Sequence, residues 1–154
     1  MATYRAVVTG RAGVNTANTV YFQLKSAATA RLRIREIVWT ITTAPTTAPL
    51  LLVSRSTATG TSSTTLAGTP VDPADPAASG TLDSAWSAAP TFTTTGPHLL
   101  ALQLATTVGG VFYWASGDEM ADIIVPVSSG VCFAWSTASG ATLGAHALSL
   151  AWDE

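Results

Sequence analysis

Apolar and polar residues alternate with period two along most of this chain, and only a pleated strand with one face turned to a core satisfies that period. In residues 19–25 Val20, Phe22 and Leu24 alternate with Tyr21, Gln23 and Lys25, and in residues 98–105 Leu100, Leu102 and Leu104 alternate with Ala101 and Gln103. The runs Val131/Phe133/Trp135 and His146/Leu148/Leu150/Trp152 repeat the spacing on either side of the turn-rich stretch 139–144, which predicts a C-terminal hairpin. Further strands are predicted at 3–9, 32–42, 49–55, 110–116 and 121–127, about nine in all, and no segment carries helical periodicity with caps. A parallel sheet would need crossover helices. The expected fold class is therefore all-β, an antiparallel β-sandwich of jelly-roll type with eight to nine strands, and an immunoglobulin-like sandwich is the runner-up. The expected core holds Phe22, Leu24, Ile34, Leu100, Leu102, Leu104, Phe133, Trp135, Leu148 and Leu150.

The alternation fails in two places. Along 31–41 the odd positions read Arg31, Arg33, Arg35 and then Ile37, Trp39, Ile41, so either a bulge near Glu36 flips the register or an exposed edge runs into a covered interior. The stretch 57–97 is rich in Pro, Ser and Thr, lacks periodicity and reads as one long loop of the kind that is functional or disordered. Residues 1–18 hold a β-prone piece followed by Gly10 and Gly13, and read either as an N-terminal arm or as an edge strand. At 154 residues the chain is read as a single domain, 1–154, large enough to bury a core without staples.

Charged residues make up 10% of the chain, where an ordinary soluble domain has about 25%. Ser, Thr and Ala replace them and make a surface that is cheap to desolvate, as interface cores are; a coding bias toward small residues would leave the same trace. All seven basic residues precede position 56 and eight of the nine acidic ones follow position 71, a segregation that a fold interleaving the two halves would cancel. A net charge of −2 without a basic face argues against a nucleic-acid partner. The N-terminus lacks the apolar stretch of a signal peptide, and the uncharged span 98–114 is broken by Gln103, Thr106, Thr107 and Gly109-Gly110. Neither export nor a membrane helix is expected.

Residues suited to chemistry do not assemble into a motif. Cys132 sits in an apolar strand and reads as a small hydrophobe, His98 and His146 lack a nucleophile elbow, and Asp118, Glu119 and Asp122 lack the spacing of a calcium loop. Asp72, Asp75 and Asp83 do not single out a carboxylate pair. No catalytic residue, cofactor or metal is assigned, and the chain is read as non-enzymatic.

The stretches Thr69-Pro70-Val71-Asp72-Pro73-Ala74-Asp75-Pro76-Ala77-Ala78 and Ala85-Trp86-Ser87-Ala88-Ala89-Pro90-Thr91, with Arg33-Ile34-Arg35-Glu36-Ile37 and Leu150-Ala151-Trp152-Asp153-Glu154, resemble small virion structural proteins of tailed bacteriophages, the capsid decoration or cement proteins among them. The resemblance implies a jelly-roll fold, a homo-oligomer with a trimer favoured, docking on the major capsid protein, and a place on the capsid surface after synthesis in the host cytoplasm. Candidate partner-binding residues are Arg5 and Arg11 on the possible arm, the stripe Arg31, Arg33, Arg35, and Trp86, the large aromatic of the polar loop, which reads either as an anchor in a partner's pocket or as a lid folded back over its own sheet. The alternative is a tail or fibre module that binds a cell-surface carbohydrate, motivated by five tryptophans that could stack on sugar rings.

Overall fold

In a computed structural model that describes residues 1–12, 18–117, 122–136 and 144–154, the described residues form strands joined by turns and loops. In chain order these are β1 (Thr3–Arg11), β2 (Thr19–Lys25), β3 (Leu32–Ile41), β4 (Leu50–Ala58), β5 (Thr61–Ala67), β6 (Thr69–Pro70), β7 (Thr81–Ala88), β8 (Thr91–Phe92), β9 (Leu100–Gln103), β10 (Val111–Ala115), β11 (Ile123–Val125), β12 (Gly130–Ser136) and β13 (His146–Asp153). Two antiparallel sheets pack face to face as a β-sandwich, since buried side chains from both form one cluster. Sheet A runs β10-β3-β13-β1-β6, with β11 beside β10 on the outer edge of β3. Sheet B runs β5-β7-β2-β12-β4, with β8 and β9 sharing the outer edge of β4. No described helix is long and apolar enough to cross a membrane.

The predicted C-terminal hairpin does not form. β12 lies in sheet B between β2 and β4, while β13 lies in sheet A between β3 and β1. Alternation tells which face of a strand is apolar but not which strand it pairs with, and both runs satisfy it from opposite sides of the same core. Residues 139–143 of the predicted turn at 139–144 lie outside the described residues, as do Gly13, Asp118 and Glu119.

Bulges account for the irregularities of pattern. β13 pairs Ala151 with Glu36 and Trp152 with Ile34, so Arg35 is the extra residue. Leu32 and Ile34 before it, and Ile37, Trp39 and Ile41 after it, can therefore all face inward. A second bulge, where β12 pairs Phe133 with Phe22 but Ala134 with Val20, adds Tyr21 to the inner face and puts Val20 on the outer one, against the simple alternation. A third separates Val8 from Arg11 in β1, where Gly10 takes φ = 69°. Residues 3–11 thus belong to the chain's own sheet, hydrogen-bonded to β13 and β6, with Tyr4 and Ala6 in the core, so the arm reading does not describe them.

The stretch 57–97 is not one long loop. β5 and β7 pair with each other and extend sheet B beyond β2, β6 closes on β1, and β8 pairs with β4. Periodicity misses β5 because nearly all of Thr61–Ala67 is exposed, so no apolar face marks it; its Thr residues favour a strand by β-branching alone. This insertion covers the outer face of sheet B, where Val20, Leu52, Cys132 and Ala134 form a small second core with Phe92, and Trp86 packs on it.

The main core is aromatic at one end, with Tyr21, Phe22, Trp39, Phe133 and Trp135 around His146. Trp39 Nε1–H donates to His146 Nδ1 at 3.1 Å, so the ring is the neutral tautomer protonated on Nε2. Burial without a charged partner lowers its pKa to about 4.

Eight of the ten expected core residues are buried, Leu100 is half-buried and Leu102 is 37% exposed because β9 is an edge strand. Leu148→Ala is accordingly expected to cost about 2–5 kcal/mol and Leu102→Ala about 1 kcal/mol or less, measured by urea denaturation. A pH test bears on His146. Its folded pKa lies below the unfolded value of about 6.5, so its stabilising contribution is complete above that pH and is lost as pH falls toward 4. The loss amounts to about 3 kcal/mol over that interval. His146→Gln, whose side-chain oxygen can still accept from Trp39, should flatten the stability curve between pH 6.5 and 4.5; an unchanged slope would assign it to other groups.

Candidate functional site

Strand register divides the outer face of sheet A into rows. Val7, Ser149, Val38 and Tyr113 lie side by side across β1, β13, β3 and β10, and Ala147, Thr40 and Val111 form the next row. Val7, Val111 and Tyr113 are 51%, 52% and 63% exposed, and the other members of these rows are partly exposed. No charge occurs in either row. The two rows at the other end, Arg5-Ala151-Glu36-Ala115 and Thr3-Asp153-Arg33-Ile124, carry the charges of the face. One half is thus uncharged and inexpensive to desolvate, and the other is polar.

The arginines of the polar half are engaged within the chain. Arg5 pairs with Glu36 at 3.4 Å, Arg33 with Asp122 at 3.2 Å, and Arg35 Nε with Asp153, which also accepts from Thr3 Oγ1 at 2.7 Å. Arg31, just before β3, is exposed. The stripe that reads as cationic in sequence is largely neutralised by acids from the second half of the chain, as the interleaving reading expects. Sequence inspection missed the uncharged rows, whose residues are Val, Thr, Ala, Ser and Tyr from four strands; only the register unites them.

Arg11 and Trp86 come together away from this face. The bulge at Gly10 offsets Arg11 from the alternation of Arg5 and Val7, and its guanidinium lies over the Trp86 ring, 5.8 Å from the centroid. Trp86 packs on its own sheet as a cover, so it is not an anchor projecting toward a partner. Trp39, Trp135 and Trp152 are fully buried and Trp114 is nearly so. The five tryptophans therefore form no exposed stacking face, which removes the observation that motivated the carbohydrate reading.

A polar network ties the insertion to sheet B. Asp83 of β7 is completely buried, pairs with Lys25 at 2.8 Å, and accepts from Thr65 Oγ1 at 2.8 Å and from Ser62 Oγ. Gln23 bridges Ser56 Oγ at 2.7 Å and the Gly60 N–H at 3.3 Å. Beside them the Cys132 thiol contacts Ser56 at 3.1 Å, and burial, partly offset by hydrogen bonds from Ser56 and Gln23, pushes its pKa up to about 11. It is a protonated core thiol, as read from its strand. At the edge of the same sheet Ser54 Oγ lies 2.6 Å from His98 Nδ1, in a cleft of about 280 Å³. Ser54 is 1% exposed, and the described residues lining the cleft include no carboxylate to orient the imidazole. At the chain's other end the Glu154 carboxylate accepts from the Ser79 and Gly80 N–H groups, Ser79 Oγ and Trp152 Nε1. Desolvation raises its pKa, but these bonds outweigh it and the net shift is downward.

No family model, curated protein or solved structure matches the chain.

The contrast between buried and exposed ion pairs is measurable. Lys25→Met leaves the Asp83 carboxylate buried without its cation and should cost about 3 kcal/mol. Arg33→Met breaks a pair that is still partly open to solvent and should cost less than about 1 kcal/mol. Equal urea midpoints for the two variants would mean that the Asp83 network does not hold the insertion.

Proposed function

We propose that the chain is a non-enzymatic structural protein of a bacteriophage virion, of capsid decoration or cement type, which docks on the major capsid protein through the uncharged half of the outer face of sheet A. The observation that carries this reading is the pair of rows Val7-Ser149-Val38-Tyr113 and Ala147-Thr40-Val111, a face with three exposed apolar side chains and no charge. Hydrophobic area removed from water supplies the affinity of such a contact, and the bordering ion pairs supply a polar rim. The strand order adds support. Taken in chain order, β1, β2, β3, β4, β9, β10, β12 and β13 fall into the arrangement 1-8-3-6 in sheet A and 2-7-4-5 in sheet B, which we read as a jelly roll with β5 to β8 inserted between its fourth and fifth strands. A homotrimer engaging several capsid subunits at once would multiply a modest single contact.

Particles stripped of the protein are expected to lose heat resistance and to regain it when the wild-type chain is added back. Val7→Lys/Tyr113→Lys, which places two charges on the face without touching the core, should leave the thermal midpoint of the isolated protein unchanged and abolish particle binding. Heat resistance that does not change on stripping, or full binding by the double variant, would overturn the proposal.

A further inference from the structure

We propose that the cleft between Arg11 and Trp86 receives the carboxylate of an acidic side chain from a protein partner; the identification of the partner as a protein rests on the docking role proposed above. The cleft has a volume of about 450 Å³ and is lined by Arg11, Asn18, Thr19, Val20, Trp86 and Pro90, among others, with no acidic residue among the described ones.

Three observations converge on an anionic acceptor. Arg11 is half-buried, yet it has no carboxylate or hydrogen-bond partner among the described residues. The chain's other half-buried cations, Lys25, Arg33 and Arg35, are each paired with a carboxylate, and exposed Arg55 donates to the Ile124 carbonyl at 2.8 Å. Arg11 Nε and Trp86 Nε1 are both buried donors without an acceptor among the described residues, and they belong to the two side chains in cation–π contact. An arginine without a counter-charge at a cleft, in contact with a second side chain whose donor also lacks an acceptor, favours a guest that accepts hydrogen bonds and carries negative charge. A carboxylate does both, and its two oxygens match the planar fork of an arginine.

The body of the guest is set by the walls. Arg11 lies over the Trp86 ring, and the Trp86 side chain packs on the Val20, Leu52 and Phe92 cluster, so the ring is taken up by contacts within the chain. Val20 and Pro90 offer apolar contact to the methylenes of a glutamate or aspartate. The pocket thus belongs to this chain and the anchor to its partner, the reverse of what Trp86 suggests in sequence.

The test uses the isolated full chain and follows the Trp86 indole ¹H–¹⁵N resonance during titration with N-acetylglutamate N-methylamide, its glutamine counterpart and glucuronate. A saturable shift with the glutamate probe at millimolar concentration, at least about tenfold weaker with glutamine, is expected. Arg11→Gln should abolish the shift and Arg11→Lys, which keeps the charge, should retain part of it. Equal response to glutamate and glutamine, or a shift that survives in Arg11→Gln, would overturn the carboxylate assignment. Glucuronate binding as tightly as the glutamate probe would overturn the choice of a protein side chain. Because no particle enters the experiment, its outcome is independent of whether the sheet A face docks on a capsid.

Discussion

Sheet B must be covered on both sides, and much of the molecule follows from that requirement. β2, β12 and β4 turn Phe22, Leu24, Leu51, Val53, Val131, Phe133 and Trp135 to the sandwich core, and Val20, Leu52, Cys132 and Ala134 away from it. A strand apolar on both faces cannot leave either in water. The segment between β4 and β9 supplies the second cover by placing Phe92 and Trp86 over the outer face. The position of Trp86 then determines where Arg11 finds an aromatic surface, so the cleft beside it is a by-product of the need to shield four apolar residues.

Polar groups near that cover are retained because they are satisfied. Asp83 is buried completely but meets one ammonium and two hydroxyl groups, and Gln23 meets a hydroxyl and a backbone N–H. Such a network fixes the register of the β5–β7 pair, which has bulges and little apolar area of its own. Sheet A is organised differently. Its outer face leaves Val7, Val111 and Tyr113 exposed among the described residues and divides along the strands into an uncharged half and an ion-paired half.

The parts of this arrangement legible in the sequence are those in which one residue's environment repeats every second position. Phe22 and Leu24, Phe133 and Trp135, and Leu148 and Leu150 are buried as the alternation requires, and the change of phase near Glu36 marks a real bulge at Arg35. The failures have a common cause in information that is not local. Val20 leaves its expected face because of an extra residue at Tyr21, Leu102 is exposed because its strand lies at an edge, and β12 and β13 choose partners in different sheets. β5 was hidden because a strand without a buried face has no period to detect. At the candidate sites, Arg31, Arg33 and Arg35 are recognisable as a stripe but the counter-charges of Arg33 and Arg35 are not, and the proximity of Arg11 to Trp86 depends on contacts between segments 75 positions apart.

The position of β13 has a consequence for how the molecule comes into being. β1 and β3 lie in the same sheet but do not touch as neighbours, since each is hydrogen-bonded to β13, which enters between them. During synthesis the early strands of sheet A must wait until residues 146–153 have left the ribosome before their inner edges are capped. Pairings so distant along the chain carry a large loop-closure cost and place the domain among the slower folders, in the range of about milliseconds to seconds. Until that last strand is inserted, the nascent chain exposes two open β-edges flanking a gap one strand wide, which makes the interval before its arrival the period of greatest exposure to misassociation.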